Sequence, residues 1–138
     1  MSGVRSVEPV RIFVADTDDW TELTDGDEPV VRISAPDLAR ARRIRAGVDG
    51  DVAVILDVTV AVGADFRSAR RALQVATDDS NVRYVGTVLG LAGLIADIEA
   101  AGVADGVTLV AAAPGQDLRA VGVDVQRLLA SRSQARAS

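Results

Sequence analysis

Cysteine and histidine are absent from the 138 residues, and all 15 basic residues are arginine. The first absence removes disulfides, thiolate metal sites and a cysteine nucleophile. The second removes the commonest general base near neutral pH and the commonest metal ligand. Without lysine there is no Schiff-base chemistry and no P-loop lysine. These gaps weigh against catalysis and leave carboxylates, hydroxyls, Tyr84 and arginines as candidate chemistry. Aromatics are also scarce, with one Trp, one Tyr and two Phe. No run of 18 apolar residues occurs, so no membrane-spanning helix is expected. Residues 1–9 are polar and lack the apolar stretch of a signal peptide, which sets the expectation of a cytoplasmic protein. A net charge of −5 is a poor footprint for nucleic acid.

What is present is apolar material: 49% of the residues are hydrophobic, enough for a buried core. The length suits one domain, expected over 10–131 between flexible polar ends at 1–9 and 132–138. The run 10–15 (VRIFVA) and the run 30–33 each predict a strand. Between them, 16–28 carries seven acids, with a short helix expected around Trp20 and Leu23. Those acids lack the spacing, glycine and closing glutamate of a calcium loop, so a solvated loop is expected and no metal site. Trp20 inside that loop is read as pinning it to the core.

Ser34, Pro36 and Asp37 make a helix start, with Ser34 as cap, and the helix is expected to run to Ala46 before Gly47 and Gly50. Arg40, Arg42, Arg43 and Arg45 lie on it and read as a solvated face. Residues 51–62 (DVAVILDVTVAV) give the strongest strand signal, apolar on both faces as for a strand covered on both sides. Asp57 and Thr59 interrupt it and share one face. A helix over 65–76, a polar loop over 78–81 and a strand over 82–85 follow. Gly86 and Thr87 then open a helix to Ala101 that Gly102 ends. A strand over 107–112, a turn at Pro114 and Gly115, and a helix over 117–131 close the pattern. Alternating strands and helices imply an α/β fold with a mostly parallel sheet of about five strands.

Three stretches carry a resemblance. Residues 34–73 (SAPDLARARRIRAGVDGDVAVILDVTVAVGADFRSARRAL) join a helix, a long apolar strand and an alanine- and arginine-rich helix. Residues 84–110 (YVGTVLGLAGLIADIEAAGVADGVTLV) combine a Val-Gly-Thr helix opening, an amphipathic helix, an Ala-Gly-Val turn and a glycine-containing strand. Residues 115–130 supply a last amphipathic helix. In combination these resemble the C-terminal portion of luciferase-like monooxygenases, TIM barrels that use FMN or the deazaflavin F420 in oxidation or hydride transfer. The resemblance implies a half TIM barrel, or an open α/β sheet, matching the latter half or less of such an enzyme. A full barrel takes eight βα units and roughly 250 residues. The family's first half holds much of its substrate pocket and often a catalytic histidine, so no catalytic residue carries over.

Four residues remain as cofactor-binding candidates. Gly86 and Thr87 sit at a helix start, where free N–H groups and the dipole suit a phosphate; the alternative is a plain cap. Asp57 and Thr59 would face a barrel's active site, or else bond to a neighbouring strand. A half barrel exposes sheet surface, so a homodimer or a protein partner is expected. Three functions stand open: a cofactor-binding domain without full catalytic machinery, an active oxidoreductase assembled with another chain, and a cofactor-free interaction or regulatory domain.

Overall fold

A computed structural model describes residues 10–15, 19–24, 26, 28–48, 50–63, 82–112 and 117–137, with the side chains of 132–137 left out. Its strands are β1 (Arg11–Ala15), β2 (Trp20–Glu22), β3 (Val30–Ile33), β4 (Ala53–Val62), β5 (Val82–Gly86) and β6 (Gly106–Ala111). The described helices are α1 (Leu38–Ala46), α2 (Val88–Ala100) and α3 (Leu118–Ala137). The expected helix over 65–76, the loop over 78–81 and the turn at Pro114 and Gly115 lie outside the described residues.

All six strands join one sheet in the order β2-β1-β6-β4-β3, with β5 also on β4. Every pairing is parallel except β1 with β2. The mixed α/β class and the mostly parallel sheet are as expected, and the sheet curls into a half barrel. Its strand order interleaves early and late strands, since β6 lies between β1 and β4. β4 is the hub. Residues 55–60 pair with β6 on one edge, while 53–56 pair with β3 and 58–62 with β5. The overlap with β6 puts β3 and β5 end to end along β4's other edge.

Alternation sorts the strand residues into two faces. Ile12, Val14, Val54, Leu56, Val58, Val60, Val107 and Leu109 form the main core with Ala41 of α1, Leu91 and Ile95 of α2, and Val125 of α3. All three described helices therefore pack on one face. The other face carries a smaller apolar cluster of Phe13, Ala53 and Ile55, together with Arg11, Asp57, Thr59 and Thr108, all buried.

Three local expectations need correction. Trp20 to Glu22 is a strand paired with β1, not a short helix; indole stacking on Phe13 holds it extended against the sheet edge. Asp37, not Ser34, caps α1, because its carboxylate reaches the Arg40 N–H at 2.8 Å. The last helix runs on through Ala137 rather than stopping at 131; residues 132–137 hold neither glycine nor proline, so nothing in them breaks the ladder.

Candidate functional site

The first candidate region is the carboxyl rim of the sheet, where β5 hands over to α2. Thr87 is the N-cap of α2, extended, with its hydroxyl accepting from the Gly90 N–H at 3.3 Å. Tyr84, two residues before the end of β5, donates its hydroxyl to the Thr87 carbonyl at 2.9 Å. That hydroxyl fills the space where Gly86 and Gly90 lack side chains: a Cβ would sit 2.4 Å from it at Gly86 and 2.1 Å at Gly90. Both glycines are thus explained by the Tyr84 brace. The brace grips a carbonyl from the side of the helix. Among the described residues, no side chain accepts from the N–H of Val88 or Leu89. The end of β4 adjoins this turn, with the Gly63 N–H donating to the Gly86 carbonyl at 3.0 Å. β6 ends beside it, with the Ala112 N–H donating to the Val60 carbonyl at 2.9 Å. Among the described residues, Gly63, Gly86, Ala111 and Ala112 are the small residues at this rim, with Val62, Val88 and Leu89 beside them.

The second region is the middle of the face without described helices. Asp57 receives two hydrogen bonds from Arg32 of β3, at 2.7 and 3.2 Å. This fork geometry makes a tight ion pair. The Arg32 guanidinium also lies 5.6 Å from the centre of the Trp20 ring. Trp20 stacks on Phe13 at 4.6 Å between centroids and donates its indole N–H to Thr108 at 2.9 Å. Thr108 pairs in register with both Phe13 and Asp57, so these groups form one row across β1, β6 and β4. Thr59 is buried one pleat further along β4, in register with Val110 and Arg83.

The four candidates therefore do not make one site. Val62 is the β4 residue level with Gly86. At about 3.3 Å per residue, Thr59 lies about 10 Å and Asp57 about 16 Å down the strand from it. Asp57 takes up its hydrogen bonds with a neighbouring strand, and Gly86 and Thr87 stand alone at the rim. Arg32, Thr108 and Tyr84 were not singled out by pattern as partners. Arg32 and Asp57 are 25 residues apart, and nothing local in the sequence joins them.

At the far side of the same face Arg11 is buried. It binds Glu22 with two hydrogen bonds, at 2.9 and 2.8 Å, and donates to the carbonyls of Glu28 and Gly26. The Arg11 hydrogen bonds hold the Glu22 carboxyl below its ordinary pKa, against the opposing pull of burial, and Thr24 and the Gly26 N–H add to the lowering. At the amino end of the sheet, Asp105 binds Arg45 of α1 at 2.6 Å and accepts the Val54 N–H at 2.8 Å. Hydrogen bonding to Asp105 raises the Arg45 pKa. Both networks tie segments together.

Among the described residues, no three carboxylates gather as a cation site needs, and no helix is long and apolar enough to cross a membrane. No protein-family model matches the chain, and no curated protein sequence matches it.

Proposed function

We propose that this chain is a small α/β domain of luciferase-like type that holds FMN or F420 by its phosphate and lacks the groups to complete the redox chemistry alone. The observation that carries this reading is the position of the α2 N-terminus. It opens at the carboxyl edge of a parallel sheet, where α/β proteins hold their ligands, and no described side chain accepts from its first two backbone N–H groups. The described residues give the ring system no aromatic slot, since Trp20 is engaged by Phe13 and Arg32. Such a cofactor supplies the electrons when bound; residues 86–89 bind and orient its phosphate. The absence of histidine, cysteine and lysine supports the lack of independent catalysis. Cytoplasmic placement belongs to the same proposal, as a chain without cysteine gains nothing from an oxidising compartment.

A second reading, a cofactor-free interaction domain, draws on a different observation: the polar groups of the face without described helices are paired with one another rather than aimed at a ligand. Fluorescence titration with FMN and with F420 separates the two. Saturation in the micromolar range is expected for one of them. Leu89 is 65% exposed at the first turn of α2. Leu89→Glu places an anion there, which favours the helix but repels phosphate, so affinity should fall about tenfold or more while the melting temperature holds. No binding up to about 1 mM, which corresponds to only about 4 kcal/mol, overturns the cofactor reading.

A further inference from the structure

The outer face of α1 carries charge that finds no acidic counterpart among the described residues. At about 100° per residue, Arg40, Arg43 and Arg42 span an arc of about 160°, with Ala39 and Ala46 between them. All five are exposed. Arg45, on the inner flank, is the one arginine of α1 in an ion pair, with Asp105. Among the described residues, Arg40, Arg42 and Arg43 have no acidic partner. Crowding like charges three residues apart costs helix stability, and Arg40 in the first turn opposes the dipole.

The amino end of the sheet holds the complement. α1 ends there, since the chain passes from Ala46 through Gly47 to the start of β4 at Ala53. Asp51 is exposed in that connection, and Glu28 is exposed beside it, one residue before the Pro29 carbonyl that accepts the Ala53 N–H at 2.9 Å. Neither Glu28 nor Asp51 makes an ion pair among the described residues. One end of the molecule thus presents unpaired arginines on a flat alanine-floored helix and unpaired carboxylates next to it. A surface carrying both signs is self-complementary under a two-fold axis.

We propose that the amino end of the sheet is a self-association surface, on which Arg42 and Arg43 of one copy meet Glu28 and Asp51 of a second copy, and reciprocally. This does not depend on the cofactor reading. The contact is polar and exposed, so it is weak and salt-sensitive. Sedimentation velocity on the full chain should show dimer at about 0.05 M salt and monomer at about 1 M, where the screening length drops to about 3 Å. Arg42→Glu with Arg43→Glu should weaken dimerisation roughly tenfold or more, and Glu28→Arg with Asp51→Arg should do the same. Mixing the two variants should restore a dimer of one copy of each, an outcome that a folding defect does not produce. Far-UV circular dichroism checks that each variant is folded. A monomer at every salt concentration, a dimer indifferent to both reversals, or failure of the mixed pair overturns the proposal. Loss of dimer accompanied by arginine-dependent binding of a short oligonucleotide in place of a second copy overturns it as well.

Discussion

Arg11 sits in a strand that reads as plain apolar core, VRIFVA, yet it is a buried cation. Burying it is tolerable because Glu22 neutralises it and two carbonyls take two more of its N–H groups. None of this is legible locally, as its partners lie 11 to 17 residues away across a turn-rich segment. The consequence is a dependence on acid. The folded state holds the Glu22 pKa below its ordinary value near 4.5. Its contribution is therefore complete above that value and is lost as pH falls through the lower, folded pKa. Glu22→Gln removes the carboxylate that takes two of the Arg11 hydrogen bonds and should cost about 2–3 kcal/mol at neutral pH, measured by urea denaturation. The variant should also lose part of the fall in stability below pH 4.5; an unchanged acid profile would remove Glu22 from the account.

The elements themselves were mostly legible, because their signals are local. Asp37, Thr87 and Asp117 each accept from the N–H three residues on, at 2.8, 3.3 and 3.0 Å, and each marks a helix start that the sequence pattern places within three residues. β4 was legible from its double apolar pattern, since helices cover one face and Phe13 with its neighbours the other. β2 was not, as three residues in an acidic stretch carry no periodicity, and it is the antiparallel pairing with β1 and the stacking of Trp20 on Phe13 that make them a strand. The strand order was likewise out of reach, because parallel pairing leaves no mark in the neighbouring residues. Gly106 shows how tight that pairing is. A Cβ there would lie 2.4 Å from the Arg11 carbonyl oxygen and 2.9 Å from Ile55 Cδ1. Gly106→Ala must push β1 and β6 apart and should destabilise by about 1–3 kcal/mol in denaturant unfolding. A neutral result would mean the two strands have slack that their register denies.

Across the whole molecule, Trp20 offers a single optical reporter of the face without described helices. Its emission and far-UV circular dichroism should trace one coincident unfolding transition if β1 and β2 belong to the same cooperative unit as the helices. Thr108→Val removes the acceptor for the indole N–H while keeping the shape, and should lower stability by about 1 kcal/mol without separating the two probes. Emission that changes well before the helical signal would divide the domain. Of the candidate site, sequence reading located the helix start at Thr87 but not the Tyr84 brace, which depends on the exact pleat of β5 against α2. The placing of β6 between β1 and β4 carries a further consequence, for synthesis. β1 is among the first described segments to leave the ribosome, but its parallel neighbour begins only at Gly106. Until then β1 holds only the three residues of β2, and one edge of β4 stays bare. A nascent chain halted before β6 has no way to close its sheet, so this domain must be completed nearly whole before any of its core becomes durable.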